Sequence, residues 1–315
     1  MWFIDYLFNV YIVNCVLNVV FAIVAILGNS VVLYAIRQTP SLHKPSSFLV
    51  CNLAITDLAV GLLVQPLYVV YKIAEMSGLA DVACYSGVVV NMLANLFSGM
   101  SFITVTCISV DRYLALFLHL RYVAIVTSQR IVKVLVALWI INVFIVSFYP
   151  WKVSIALGVG ILIVLTCLVL STITFFQIHR IVRKHKKQIH HAMVQHHPKP
   201  CQLQGLNLPK YLKSVLTMGY VYLLMVLCYL PYMVTLCSRL LIGLTKEYKL
   251  ALNVTTTVIY INSAMNPLLY CYRLREFRVA MLRVLGRRTD QNEVFPDTFN
   301  SVSRIKKNNE SAAVL

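Results

Sequence analysis

Residues 8–36 read FNVYIVNCVLNVVFAIVAILGNSVVLYAI and contain no charged side chain. A helix that crosses the hydrocarbon core of a bilayer needs about 20 mostly apolar residues, so this stretch is long enough to span a membrane. It is too long for the apolar core of a signal peptide, and no small-residue cleavage site follows it before Arg37. The sequence therefore predicts a first membrane anchor that is retained.

Six further apolar stretches of similar length follow along the chain. The composition agrees with them, because 59% of the 315 residues are hydrophobic and only 12% are charged, against about 25% charged in a typical soluble domain. We predict an all-α membrane protein built as a seven-transmembrane helix bundle, whose remaining spans are residues 46–74, 84–117, 130–150, 152–182, 210–240 and 248–272.

The charge of the chain indicates its orientation. The sequence has 28 Lys+Arg against 11 Asp+Glu, a net charge of +17. Lysine and arginine are retained on the cytoplasmic side during insertion, so we expect the amino terminus to be extracellular and the carboxyl terminus cytoplasmic in a multi-pass plasma-membrane protein. Its basic inner face would contact anionic lipid, and no nucleic acid is needed to explain the charge. The only lysine and arginine residues then left outside are Lys72, Lys152, Arg239, Lys246 and Lys249.

The carboxyl-terminal part divides into two segments. Leu274, Phe277, Met281 and Leu285 recur at helical spacing between arginines, which predicts a short amphipathic helix on the membrane surface after the seventh span. The polar residues 286–315 predict a disordered cytoplasmic tail. We therefore expect residues 1–285 to form one transmembrane domain, including the amphipathic helix, followed by this tail.

Asp57 lies in the middle of the second span, where a bare carboxylate costs several kcal/mol. It should therefore face the interior of the bundle. Asn29, Ser101, Asn262 and Asn266 lie at a similar depth in other spans and make a polar cage with it. One charge and several oxygens at one depth predict a sodium-sensitive allosteric site at Asp57, Ser101, Asn262 and Asn266.

No other metal or cofactor is predicted. The loop between Arg183 and Pro209 carries two pairs of adjacent histidines, at positions 190–191 and 196–197. These pairs lack a regular ligand spacing, so a solvated loop is favoured over a metal site.

Asp111-Arg112-Tyr113 closes the third span with an acidic–basic pair, which by itself is weak evidence because boundary arginines commonly reach the headgroups. Four further features fall in register with it: Gly28-Asn29, Trp139, Cys228-Tyr229-Leu230-Pro231 and Asn266-Pro267-Leu268-Leu269-Tyr270. Together these motifs resemble the rhodopsin family of G-protein-coupled receptors over nearly the whole chain.

This resemblance implies a receptor with an extracellular ligand and a heterotrimeric G protein as partners, and with arrestin and receptor kinases as further expected partners. The sixth helix would swing outward and open a cytoplasmic cavity for the G protein, helped by kinks at Pro231 and Pro267. The residues expected to couple to the G protein are Asp111, Arg112, Tyr113, Leu120 and Tyr270.

The family also implies a ligand cavity in the outer half of the bundle. Ala94 stands where amine receptors carry an aspartate, and Tyr260 lies at the depth of the retinal lysine in opsins. The short connection at residues 149–152 resembles that of the melanocortin, lysophospholipid, cannabinoid and adenosine receptors. We expect a small neutral or weakly polar ligand, although the same polar residues also act as glue between helices. The expected pocket residues are Asn91, Asn95, Ser98, Tyr229, Tyr232, Asn253 and Tyr260.

The sequence departs from the family pattern at several places. Gly87 occupies the position of the usual third-helix cysteine, and the second extracellular loop has no cysteine, so we expect Cys84 to be dispensable. Tyr211 stands where an acidic partner for Arg112 is common, which predicts appreciable ligand-independent signalling.

Two other classes of protein also place polar residues inside a membrane. An ion-coupled transporter or channel would use Asp57 on an ion path, but the sequence shows no inverted repeat and no second buried acid at that depth. A membrane enzyme would need a metal pair or a nucleophile set at one depth, and no span offers one. We therefore expect a receptor that is not an enzyme.

Overall fold

The computed structural model describes residues 2–118, 121–194, 208–243, 245–273 and Val279. For some of these residues, mainly near helix ends, it describes the backbone alone. The predicted amphipathic helix beyond Arg273 and the tail from residue 286 lie outside this part of the chain. Seven long helices follow one another: α1 Trp2–Gln38, α2 Ser47–Met76, α3 Ala80–Leu118, α4 Ser128–Ser147, α5 Val153–Val194, α6 Leu208–Ile242 and α7 Lys246–Arg273. A short 3-10 helix, Pro40–Leu42, lies in the connection between α1 and α2, and a one-turn helix, Tyr122–Ile125, lies in the connection between α3 and α4.

The seven-helix prediction is confirmed. Within the described residues, α1 to α6 are each long and apolar enough to cross a membrane. α7 is the more polar exception, and it packs along both α1 and α6. Its polar residues are thereby sheltered from lipid by neighbouring helices, which explains how a helix of lower hydropathy can complete the bundle.

α3 lies at the centre of the bundle and packs against α2, α4, α5 and α6. Fully buried apolar residues such as Met100 and Phe102 place it in the common core. The outward faces of the other helices carry large apolar side chains, for example Leu27, Ile140 and Leu162, each more than 60% exposed. These faces meet lipid, since an exposed leucine or isoleucine costs nothing in hydrocarbon.

α2 changes its winding between Asp57 and its outer end. Val60–Val64 forms a π-helical turn just before Pro66, a proline that can donate no backbone hydrogen bond. Within this turn Gly61 packs closely on α1, because a Cβ there would lie 3.1 Å from the Ala22 oxygen and 3.1 Å from the Ala25 Cβ. The turn therefore decides which α2 side chains beyond Asp57 face α1 and α7.

The connection between α4 and α5 is a tight turn. The amide nitrogens of Trp151 and Lys152 both donate to the Phe148 carbonyl oxygen, at 3.2 and 2.9 Å. This turn is too short to cover the outer end of the bundle with a lid.

Candidate functional sites

Asp57 is fully buried between three helices. The Asn266 side-chain nitrogen of α7 donates to Asp57 Oδ2 at 2.7 Å, and Ser101 Oγ of α3 lies 3.3 Å from Asp57 Oδ1. Ser101 Oγ also donates to Thr56 Oγ1 at 2.7 Å. The structure thus brings Ser101 and Asn266 onto the Asp57 carboxylate, as the polar-cage prediction expects.

The other two members of the predicted cage have different contacts. Asn29 donates to the backbone oxygens of Ala25 and Ser263, at 2.9 and 3.1 Å. Asn262 is 3% exposed and makes no described hydrogen bond to Asp57. The side-chain oxygens of Asn29, Asn262 and Asn266 are all buried without a hydrogen-bond partner in the described structure. Asn266, whose side-chain nitrogen contacts the buried carboxylate, thus has an acceptor oxygen left without a partner. A buried carboxylate with such a neighbour suits a hard cation, so this part of the cage fits a sodium ion.

A second buried polar network joins α2, α3 and α4. Asn52 donates to Thr104 Oγ1 at 2.7 Å and accepts from the Trp139 indole nitrogen at 2.9 Å. Asn52 was missed by sequence reasoning. Two features of the sequence could have indicated it. Asn52 is an amide inside an apolar span, about one and a half turns before Asp57, and Trp139 is a motif residue for which the sequence offered no hydrogen-bond partner.

Near the carboxyl-terminal end of α3, the Arg112 guanidinium forms an ion pair of 2.7 Å with the neighbouring Asp111 carboxylate. Tyr122 of the one-turn helix donates to the other oxygen of Asp111 at 2.6 Å. The Tyr113 ring stacks on Phe117, with 5.6 Å between ring centroids. Asp111 therefore contacts both Arg112 and the connection between α3 and α4.

The other two residues predicted to couple to the G protein are Tyr270 and Leu120. Tyr270 of α7 is 1% exposed and so lies within the core. Leu120 lies outside the described residues, as does the side chain of Tyr211.

A cavity of about 110 Å³ opens among α3 to α7 in the outer half of the bundle. It is lined by polar and aromatic residues on α3, α6 and α7 and by apolar residues, including Ile161 and Val164, on α5. No Lys, Arg, Asp or Glu is among the described residues that line it. Six of the seven predicted pocket residues lie in its wall: Asn91, Asn95, Ser98, Tyr229, Tyr232 and Tyr260.

Asn253, the seventh predicted pocket residue, does not line this cavity. It accepts a hydrogen bond from the Tyr68 hydroxyl at 3.2 Å and donates to the Lys249 backbone oxygen at 2.8 Å, on the side of α7 that faces α2. Sequence reasoning missed Asn142 of α4 and Tyr149 of the turn that follows it, which do line the cavity. The rotation of α4 about its axis reveals Asn142, and the path of the turn reveals Tyr149.

The cavity wall offers neutral hydrogen-bonding groups. The amide nitrogens of Asn91 and Asn95 donate to the backbone oxygens of Gly87 and Asn91, at 2.7 and 2.8 Å. The side-chain oxygens are therefore the acceptors that these amides can offer to a ligand. The Tyr229 hydroxyl donates to the Ser98 backbone oxygen at 3.0 Å, so this residue joins α6 to α3 beside the cavity.

The structure explains why a glycine, and not the cysteine usual in the family, stands at position 87. A Cβ at Gly87 would lie 3.0 Å from Cε2 of the Tyr71 ring, which occupies the space of a side chain. Cys84, one turn earlier on α3, is exposed.

The seven-helix bundle, the intramembrane Asp57 network and the outer cavity together define a seven-helix membrane receptor. The chain matches the family model described as 7 transmembrane receptor (rhodopsin family) over residues 28–150 and 144–270. It belongs to this family, whose members are G-protein-coupled receptors. The protein is accordingly a multi-pass membrane receptor that responds to an extracellular ligand and signals to a G protein. The transporter or channel alternative has no support, and the family is one of receptors rather than enzymes.

Two groups of curated relatives are similar to the chain. The adenosine A3 receptor of Ovis aries is 25% identical over 294 residues, which cover 85% of this chain and 88% of the relative. The histamine H2 receptor of Cavia porcellus is 27% identical over 303 residues, covering 87% of this chain and 79% of the relative. The histamine H2 receptor of Canis lupus familiaris is 27% identical over 322 residues, which cover 95% of this chain and 86% of the relative.

Proposed function

We propose that this receptor binds a small, neutral or weakly polar ligand in the outer cavity among α3 to α7. The observation that carries the proposal is the chemistry of the wall, whose described residues are amides, hydroxyls, phenols and apolar side chains, with no charged residue among them. A charged ligand group placed there would lose its hydration without gaining an opposite charge. A ligand whose body is uncharged and rich in hydrogen-bonding atoms meets no such cost.

The two groups of relatives differ in the charge of the ligand in their names. Histamine carries an ammonium group at neutral pH, whereas adenosine is a neutral nucleoside. Ala94 lines the cavity at the position where an amine receptor has its aspartate, and no carboxylate replaces it in the wall. This difference favours a neutral heterocycle over an amine.

Signal transmission would follow the family mechanism. Outward movement of α6 at its cytoplasmic end would uncover the surface around Asp111, Arg112 and Tyr113, with Leu120 and Tyr270 completing the contact with the G protein. The amino terminus would be extracellular and the tail cytoplasmic. Arrestin and receptor kinases would act on that tail, and lipid headgroups would contact the basic inner face.

We also propose sodium as an allosteric ion held by Asp57, Ser101, Asn262 and Asn266. The buried carboxylate and the partnerless amide oxygens support this role. The ion would stabilise the packing of α2, α3 and α7 that surrounds it, and would therefore oppose activation.

The test is nucleotide exchange on a G protein in membranes that contain the receptor, with a library of neutral heterocycles matched to amines of similar size. We expect agonists among the neutral compounds, and a loss of about tenfold or more in potency for Asn95→Ala, which corresponds to about 1.4 kcal/mol. Asn9→Ala, an exposed change on α1, is the matched control. Activation only by amines, with potency indifferent to Asn95→Ala, would overturn the proposal.

A further inference from the structure

Lys72 is a cation buried near the outer end of α2. It is 5% exposed, and its Nζ donates to Glu75 Oε2 at 2.9 Å. Three tyrosine rings surround the ammonium, with distances from Nζ to the ring centroids of 4.8 Å for Tyr11, 5.5 Å for Tyr68 and 4.3 Å for Tyr71. A buried ion pair adds little net stability over an apolar pair, and an ionisable residue within a span is a functional candidate by default.

The Glu75 carboxylate occupies a site that has two donors. Lys72 Nζ donates to one oxygen at 2.9 Å, and the Tyr11 hydroxyl of α1 donates to the other at 3.1 Å. Both donors belong to buried residues, at 5% and 4% exposed, whereas the Glu75 side chain is 27% exposed. The donors are therefore held by the bundle, and the carboxylate is the member of the group that reaches water.

Two tyrosine rings lie between this site and the ligand cavity. The Tyr68 ring, which lies under Lys72, packs edge-on against the Tyr260 ring with 5.5 Å between centroids, and Tyr260 lines the cavity. The Tyr68 hydroxyl also bonds to Asn253, which donates to the Lys249 backbone. Lys249 brings a second cation to the same corner of the bundle, between α2 and α7.

We propose that Lys72 and Tyr11 form an oxyanion subsite, which Glu75 fills in the unliganded receptor and an acidic group of the ligand fills in the bound one. The ligand class is an anion, with an uncharged, hydrogen-bonding body in the cavity and one carboxylate or phosphate that reaches past the Tyr68–Tyr260 pair. The inference rests on the proposed function, because the body would lie in the cavity. When the ligand enters, the Glu75 side chain turns into water at the rim.

Chemical rescue tests the subsite without knowledge of the ligand. In the purified full-length Glu75→Ala receptor, the two donors lack their intramolecular oxyanion, so added acetate or inorganic phosphate should bind and raise the melting temperature. At an anion concentration tenfold above its dissociation constant, the rise should be about 3 °C. Sodium chloride at equal ionic strength should not reproduce it.

Three controls isolate the site. The parent receptor should show no rise, because Glu75 already fills the subsite. Asp81→Ala removes an exposed carboxylate from the start of α3 and should also show none. The double variant Lys72→Met with Glu75→Ala should lose the rescue. Where Glu75→Ala does not survive purification, Glu75→Ser, whose short side chain also leaves the subsite empty, takes its place.

The outcomes separate the two sources of the acidic group. Rescue by acetate alone supports a carboxylate ligand, and rescue by phosphate alone supports a phosphate ligand. Equal effects of chloride, or no rescue of either Glu75 variant, overturn the subsite. If neutral heterocycles still activate the parent receptor in that case, the proposed function stands without it. Rescue together with activation only by amines would instead overturn the proposed function and leave the subsite.

Discussion

Removal of a single hydroxyl at Tyr229 should raise ligand-independent signalling. This hydroxyl donates to the Ser98 backbone oxygen at 3.0 Å and thereby joins α6 to α3. Tyr229→Phe deletes one oxygen and keeps the ring, whose contact with Phe102 has 5.0 Å between centroids. Under the proposed mechanism α6 moves relative to α3 on activation, so we expect the lost bond to weaken the resting arrangement more than the active one.

The size of the effect follows from the strength of one neutral hydrogen bond. Such a bond contributes about 1 kcal/mol net in proteins and about 0.6 kcal/mol between helices in a membrane. Loss of that free energy from the resting state alone raises the ratio of active to resting receptor by about three- to fivefold. The same change should leave the folded bundle intact, because the phenylalanine ring fills the same space.

Nucleotide exchange without ligand, at equal surface expression, measures this ratio. Tyr34→Phe is the matched control, because Tyr34 is 50% exposed on α1 and faces lipid. Basal exchange in Tyr229→Phe that equals that of the parent, or falls below it, would show that the hydroxyl does not restrain α6. A lower melting temperature with unchanged basal exchange would assign the bond to folding alone.

Three further predictions follow from other contacts. Agonist affinity should fall as the Na⁺ concentration rises, and Asp57→Asn should abolish that dependence in radioligand binding; equal sensitivity in both receptors would refute the sodium site. Cys84→Ser should keep surface expression and ligand response, and a loss of surface receptor by flow cytometry would reveal a bridge. Gly28→Val should lower the melting temperature, because a Cβ at Gly28 would lie 3.0 Å from Pro267 Cγ and overpacking costs about 1–3 kcal/mol; Gly158→Val, with no atom within 4 Å of its Cβ, should change it less.

The predicted ligand residues show which contacts can be predicted from helical spacing and family resemblance, and which cannot. Asn95 and Tyr232 line the cavity because helical spacing alone places them on the inward faces of α3 and α6. Asn253 has the same kind of spacing on α7, yet it meets Tyr68 on the other side of the helix. A helix carries several inward-facing residues, and which neighbour each meets depends on a rotation that no single span encodes.

Amino-acid sequence by itself determined the membrane class, the seven spans and the burial of Asp57, because hydropathy and the cost of a charge in hydrocarbon act on each span separately. Only the tertiary structure decided the partners of the polar residues. The π-helical turn at Val60–Val64 sets the face on which Lys72 lies, and the Tyr11 hydroxyl that completes the Glu75 site comes from a different helix. Hydrogen bonds and aromatic contacts act over a few ångströms, so they depend on how neighbouring helices are rotated against one another, a property of the packed bundle rather than of any span.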